Sequence, residues 1–273
     1  VKIKEIQIKP KPFLRWAGGK RWLLNEISEL VNINQFNSYH EPFIGGGSVF
    51  FHLNPENASI SDSNAELINA YEQVKNNVEL VIDLLQEFKN TEEFYYKIRM
   101  QKFENEIEEA AKFIYLNQTS FNGIFRVNLK GEYNVPFGHR IKHKIDYENL
   151  RNAGDSLKNA SIFSEDFHNT IDNVKSGDLI FLDPPYTVAH NKNGFIQYNQ
   201  KIFSLEDQYR LRQYIQNLKE VGAFYIMTNA AHAAIKDIFS NGDKMFELQR
   251  ASLVGGKNAK REKYSELILT NLL

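Results

Sequence analysis

Cysteine is absent from all 273 residues. Disulfides, thiolate zinc sites and cysteine nucleophiles are therefore excluded together. Long apolar runs are missing too. No stretch approaches the roughly 20 residues of a membrane span, and the lysine-spaced start, 1–12, lacks the apolar centre of a signal peptide. A cytoplasmic protein with no membrane partner is the expectation. Nor is there an excess of one charge: 33 Lys and Arg stand against 34 Asp and Glu, a formal net charge of -1. Spread evenly, that balance would suit a nucleic-acid partner badly. The cations are instead gathered at Lys9, Lys11, Arg15, Lys20 and Arg21, at Arg140, Lys142 and Lys144, and at Lys257, Lys260, Arg261 and Lys263. Acidic residues collect elsewhere, as in Glu104, Glu106, Glu108 and Glu109. Solvated faces explain many such runs, so the clusters alone decide nothing. Repeats and low-complexity segments are also lacking, and 42% hydrophobic content is enough to fill the core of one large domain or of a domain with an insertion.

What is present is an alternation of short β-branched and aromatic runs with longer amphipathic segments, the pattern of a parallel sheet covered by helices. Strands are expected near Tyr39 to Phe43, Ala58 to Ser61, Ser161 to Ser164, Leu179 to Leu182 and Phe224 to Met227. Two last runs, Phe246 to Leu253 and Leu267 to Asn271, flank a Gly-rich basic loop and read as a hairpin closing the sheet. Ligands of doubly wound sheets bind beyond the carboxyl ends of the strands, where Gly45, Asp62, Asp166, Asp183 and Asn229 fall. Between the second and third strands the periodicity changes to long helical patterns with one hairpin signal. The expected division is 1–64 with 159–273 for the sheet, and 65–158 for an inserted, mainly helical domain.

The tetrapeptide Asp183-Pro184-Pro185-Tyr186 fixes a carboxylate, a stiff backbone and an aromatic ring at the end of a buried run. Two prolines remove two N–H donors and hold the chain extended, leaving carbonyl acceptors beside the carboxylate. Two acceptors can meet one planar amine, shifting its delocalised lone pair towards an electrophile, while Tyr186 offers a face to the ring. A strand ending in a Pro-rich turn is the plainer reading. Gly45, Gly46 and Gly47 precede a helix start where backbone can approach a ligand. Asp62, at the end of the next strand, suits ribose hydroxyls. Together they suggest a nucleoside-containing cofactor, with NAD as a rival ligand and a tight turn plus a helix cap as the structural alternative.

Three segments then occur in order: Phe13-Leu14-Arg15-Trp16-Ala17-Gly18-Gly19-Lys20, Glu41-Pro42-Phe43-Ile44-Gly45-Gly46-Gly47-Ser48, and Asp183-Pro184-Pro185-Tyr186. With Phe121 to Asn128 and Glu132 to Gly138, they resemble the Dam-type (D12 class, alpha group) DNA adenine-N6 methyltransferases over nearly the whole chain. The resemblance implies a Rossmann-like α/β sheet with S-adenosylmethionine as methyl donor. Trp16, Lys20, Phe43, Gly45, Gly47 and Asp62 would hold the donor, Asp166 and Phe167 would enclose its adenine, and Asp183 would lie where cofactor and substrate meet. Asp183 and the Pro184 carbonyl would orient the target amine and Tyr186 would stack on the base, with no metal required. An adenine in a duplex hides its amino group, so it must be flipped out.

Double-stranded DNA is thus the implied partner, read by a hairpin near 121–138. Arg126 can give two donors to guanine and Pro136 can pack on a thymine methyl. Phe121 aligns with a family position that enters the base stack, and Asn122, Ile124, Arg140, Lys142 and Lys260 complete the expected DNA contacts. Family members with this hairpin often read GATC. This chain departs from them at His139-Arg140, where relatives commonly carry a basic residue followed by tyrosine. A longer site containing GAT, within a restriction-modification system whose endonuclease acts separately, is the alternative. The same chemistry on RNA or a protein amide, a catalytically silent DNA-binding regulator and a nicotinamide-dependent dehydrogenase rank below it. A monomer is expected.

Overall fold

The computed structural model describes residues 9–128, 130–187, 203–240, 242–251 and 263–272. Its strands are β1 (Tyr39–Glu41), β2 (Ala58–Asp62), β3 (Ala160–Ser164), β4 (Leu179–Leu182), β5 (Phe224–Ala230), β6 (Lys244–Ala251) and β7 (Lys263–Thr270). Its helices are α1 (Leu24–Leu30), α2 (Ser48–Leu53), α3 (Ala65–Asn76), α4 (Val78–Glu87), α5 (Glu92–Met100), α6 (Glu106–Thr119), α7 (Tyr147–Leu157), α8 (Leu205–Val221) and α9 (Ala233–Ile238). This is the mixed α/β class that the alternating runs predict. The chain packs as two compact units, one built on Ile44–Glu165 and the segment ending at Asn34, the other on Gln35–Phe43 and Asp166 onward. Among the described residues no helix is long and apolar enough to cross a membrane.

In the first unit β2 and β3 pair in parallel, from Ala58 opposite Ala160 to Asp62 opposite Ser164. Short polar side chains start four of its helices by accepting backbone N–H groups that have no partner inside the helix. Asn64 caps α3, Thr91 α5, Asn105 α6 and Asp146 α7. The core follows from the buried helix faces, with Ala110, Phe113, Ile114 and Tyr115 of α6 turned inward. Phe13 packs edge-on to Tyr71 and Phe51 at ring separations of 5.0 and 6.1 Å, which anchors the first sequence motif to α3 and α2.

In the second unit β4 reads Leu-Ile-Phe-Leu and is buried throughout, as a strand covered on both faces must be. It lies between two parallel neighbours, Leu179 pairing with Tyr39 of β1 and with Phe224 of β5. β7 runs antiparallel to β5, and β6 antiparallel to β7, so the expected closing hairpin is present. Its strands begin before the two apolar runs, at Lys244 and Lys263, because the polar residues preceding those runs pair as well. α8 covers the sheet with Leu211, Tyr214, Ile215 and Leu218. A capping box of Ser204 and Asp207 starts that helix, and Gly222 at φ +84° ends it.

A glycine inside a helix normally gains about 1 kcal/mol when it becomes alanine. At Gly154 of α7 a Cβ would stand 2.7 Å from the Val74 carbonyl oxygen of α3. Backbone cannot step aside as a side chain can, so the sign reverses. Gly154→Ala should destabilise the protein by roughly 1–3 kcal/mol in urea unfolding. A variant as stable as the parent would mean that α7 and α3 separate without loss.

Candidate active site and nucleic-acid interface

Asp183 leaves the end of β4, where Leu182 is in register with Met227. The next step along both strands sets Asp183 beside Thr228, whose hydroxyl donates to Asp183 Oδ1 at 2.7 Å. That bond holds one carboxylate oxygen at the strand end. Pro184 is buried, whereas Pro185 and Tyr186 are half-buried. The Tyr186 hydroxyl donates to Glu266 Oε2 of β7 at 2.8 Å, so the ring is held by its far end. Asn229 is differently employed: it is fully buried and its Nδ2 donates to Gln208 of α8 at 3.0 Å. Gln208 in turn donates to Thr187 at 2.9 Å. Asn229 therefore braces the strand end against α8 instead of facing a ligand.

Phe43, Asp166 and Phe167 also belong to the second unit. Phe167 is buried, with Phe43 tilted against it at 5.2 Å, Phe203 at 5.8 Å and the Arg210 guanidinium over its ring at 5.0 Å. Asp166 is exposed and uses Oδ1 twice, accepting from the His168 amide at 2.9 Å and from Arg210 Nη2 at 2.7 Å. Arg210 thus grips the carboxylate and the ring of two adjacent residues, and no motif announces it.

The first unit holds Trp16, Lys20, Gly45, Gly47 and Asp62. The amide of Gly45 donates to Asp62 Oδ2 at 3.1 Å and that of Asn64 to Oδ1 at 3.0 Å. Asp62 is not the cap of α3, a task that falls to Asn64. Burial pushes the Asp62 carboxyl up to about 6, outweighing the backbone N–H bonds that favour its charge. The Ser63 amide favours the charge as well, which leaves only part of the carboxylate's acceptor capacity, and the residue as a whole retains some exposure. The glycines answer to packing. A Cβ on Gly45, at φ +45°, would meet Trp16 Cδ1 at 2.7 Å, and one on Gly47, at φ +67°, would meet the Tyr71 hydroxyl at 2.7 Å. Trp16 stacks on Phe125 at 5.6 Å with 20° between the planes. Lys20 is buried, its Nζ donating to the Gly18 carbonyl at 2.9 Å.

The segment expected to read DNA lies in the same unit. It is a hairpin without regular strands: single bridges join Val127 to Tyr133 and Ser120 to Phe137. Its turn depends on Asn128, whose Oδ1 accepts from the amides of Lys130 at 2.9 Å and Glu132 at 3.0 Å. Arg126 is exposed and makes no ion pair among the described residues. Its Nε donates to Asn134 Oδ1 at 2.7 Å and its Nη2 to the Asn134 carbonyl at 3.3 Å. The guanidinium is held at one edge, with Nη1 at the other. Phe121 is 51% exposed, which removes it from the core, and Asn122 beside it takes φ 57°. Pro136, Arg140 and Lys142 are exposed and Ile124 is half-buried. An open cleft of about 310 Å³ lies among Leu14, Arg15, Trp16, Arg21, Asn122 and Ile124, joining the first motif to this segment. Lys260 and its basic neighbours Lys257 and Arg261 lie outside the described residues.

Residues 16–252 match the family described as D12 class N6 adenine-specific DNA methyltransferase. The chain is 35% identical over 280 residues to a protein of Lactococcus lactis subsp. cremoris named type II methyltransferase M1.LlaDCHI, covering 98% of each. It is 34% identical to type II methyltransferase M.MjaIII of Methanocaldococcus jannaschii, over 96% of this chain and 99% of that one. A protein of Haemophilus influenzae named DNA adenine methylase is 32% identical over 96% of this chain and 94% of its own.

If Asn128 alone shapes the hairpin turn, Asn128→Ala should speed amide hydrogen exchange across 126–134. Loss of its two backbone contacts removes about 1–2 kcal/mol locally and should leave the global unfolding midpoint nearly unchanged. Unaltered exchange there would shift the credit to Gly131.

Proposed function

Because the chain belongs to the D12 class of N6 adenine-specific DNA methyltransferases, we propose that it transfers a methyl group from S-adenosylmethionine to the adenine amine within GATC. The donor would be held by Trp16, Lys20, Phe43, Gly45, Gly47, Asp62, Asp166, Phe167 and Asp183. The desolvated Asp62 carboxylate suits this role, since it presents charge and spare lone pairs to hydroxyl donors. When bound, the donor supplies an electrophilic methyl on a sulfonium. The chain then needs only to align an amine with it. Asp183, steadied by Thr228, and the Pro184 carbonyl would accept hydrogen bonds from the two amine hydrogens, one of which leaves as a proton after the methyl arrives, and Tyr186 would cover the base. The observation that carries the reading is the Thr228 bond, which orients one carboxylate oxygen at a strand end.

Residues 65–158 are proposed as the target-recognition part. Flipping the base costs a few kcal/mol, offset by protein contacts. Exposed Phe121 would fill the vacated space, with Asn122 and Ile124 beside it. Arg126, restrained by Asn134, would read guanine, and Pro136 a thymine methyl. Arg140, Lys142 and Lys260 would meet phosphates. The names of the Lactococcus and Methanocaldococcus relatives favour a setting in which a separate endonuclease cuts the same site. The His139-Arg140 departure favours testing longer GAT-containing sites beside GATC. Kinetics on duplexes with each base pair varied in turn decide the site. Arg126→Ala should slow the cognate duplex most, by about 1–3 kcal/mol. Equal slowing of every duplex would transfer Arg126 to backbone positioning.

Asp183→Ala should reduce kcat at least about a hundredfold while cofactor and DNA still bind. Thr228→Val, which removes the hydroxyl that holds Asp183 Oδ1, should cost roughly tenfold to a hundredfold in kcat with little change in KM. Normal turnover by the Asp183 variant would sink its role.

Asp62 also predicts a pH dependence. Its folded-state value of about 6 lies above that of an exposed carboxylate, so ionisation costs stability at neutral pH and the cost vanishes as the pH falls. Binding through the charged form runs the other way. Affinity for S-adenosylmethionine should weaken as pH drops through about 6, and Asp62→Asn should flatten that profile and lower affinity at neutral pH by roughly 1.5–3 kcal/mol. Calorimetry across this range checks it, and a parent profile matched by the variant would leave Asp62 a purely structural residue.

A further inference from the structure

The last turn of α6 draws together two segments far apart in sequence. Asn117 accepts from the Arg15 amide at 2.7 Å and donates to the Arg15 carbonyl at 2.8 Å. Its neighbour Gln118 donates to the Phe13 carbonyl and meets His143 Nε2 through Oε1 at 2.9 Å. His143 turns back on Arg140, amide to carbonyl at 2.8 Å. Asn90 pins that turn, donating to the carbonyls of Arg140 at 3.0 Å and His143 at 3.1 Å. The backbone of Arg15, the turn from Arg140 to His143 and the His143 ring are thereby all held by uncharged amides.

The electrostatics agree with this geometry. Burial and the charge of Arg140 both hold Arg15 below the usual arginine range, against a smaller opposite effect of Tyr133. Burial, Arg140 and Arg15 depress His143. Gln118 and Asn90, which touch His143 or its turn, bring no charge. Along the chain it is flanked by Lys142 and Lys144, and the nearby Asp146 is engaged in capping α7. Among the described residues no ion pair includes Arg15, Arg140 or His143, and Arg15 Nη1 is buried without a hydrogen-bond partner. The Arg15 side chain runs beneath Gly123, where a Cβ would stand 2.5 Å from its own, so the cluster adjoins the turn carrying Phe121 and Asn122. Like charges crowded in this way repel until an anion joins them.

We propose that Arg15, Arg140 and His143 form a seat for one phosphodiester of the DNA backbone, and that filling it takes up a proton on His143. The inference rests on DNA being the substrate and is independent of the sequence read. A phosphate between the three groups turns repulsion into attraction and favours the charged imidazole, so affinity must fall as pH rises through the range where His143 loses its proton.

The test uses the full chain and a duplex lacking GAT, followed by fluorescence anisotropy at about pH 5.5 and about pH 7.5 with salt varied. Binding should be severalfold tighter at the lower pH, with a salt slope steeper by up to about 0.9. His143→Gln, whose amide can still reach Gln118, should lose both differences while keeping its affinity at the higher pH. In proton NMR the His143 ring signal, identified by its absence from that variant, should titrate at higher pH when duplex is added. Arg140→Gln should move the same signal upward without duplex, by relieving repulsion. A His143→Gln protein that keeps the full pH response, or a ring signal indifferent to duplex, would overturn the proposal. No binding of the duplex at either pH would instead strike at DNA as the substrate.

Discussion

The amide of Gly45 donates to the Asp62 carboxylate while its carbonyl accepts from the Tyr71 hydroxyl at 3.0 Å, so β2 and α3 fix the peptides on both sides of this glycine. Much of the first unit is built on that restraint. Positive φ at Gly45 and Gly47 carries the chain from Ile44 into α2, and the missing side chains leave room for Trp16 on one side and Tyr71 on the other. Trp16 then stacks on Phe125, at the start of the hairpin. One buried carboxylate therefore links the glycine loop, the first motif and the segment proposed to read DNA. Its desolvation raises the cost of the charge, and the charge is what the backbone amides and a ribose would use.

Asp183 shows the same economy in the second unit. Parallel register alone brings it beside Thr228, and β7 adds Glu266 behind Tyr186. Asp183 is hydrogen-bonded to a residue of β5 and Tyr186 to one of β7. Loops need not position them, because the strand ends already do. Arg126 follows this rule outside the sheet: Asn134, across the hairpin, restrains the guanidinium at Nε and leaves Nη1 at its other edge. Restraint before binding reduces the entropy lost when the side chain meets a base.

How much of this was legible in the sequence depends on the range of the interactions concerned. The strands and the closing hairpin could be read because burial writes itself into continuous or alternating apolar runs, as in Leu179–Leu182. The glycine and Asp-Pro-Pro-Tyr motifs were legible because they constrain backbone locally. Thr228 and Arg210 were not, since they reach their partners across 45 and 44 residues and belong to residue types found on any surface. Asn128 left a fainter trace, an amide three residues before a glycine at φ +80°, which is a turn signal. Asn229 sat at the right strand end for a ligand, yet buried Gln208 claims it. Position at a strand end nominates a residue, and only its hydrogen bonds tell whether it is available.

The near-neutral composition can now be reconciled with a DNA substrate. A formal charge of -1 says nothing about the field at one face. Acidic side chains at the start of α6, Glu106, Glu108 and Glu109, are useful there because they meet the positive end of the helix. The opposite end of the same helix carries Asn117 and Gln118, amides that hold Arg15 and His143 by dipoles without neutralising them. Carboxylates in those two places could not donate to the Arg15 and Phe13 carbonyls and would set negative charge beside the cations. Neutral tethers would keep the charge available to the phosphate proposed to sit there, so that a protein with no net positive charge could still present one to a duplex.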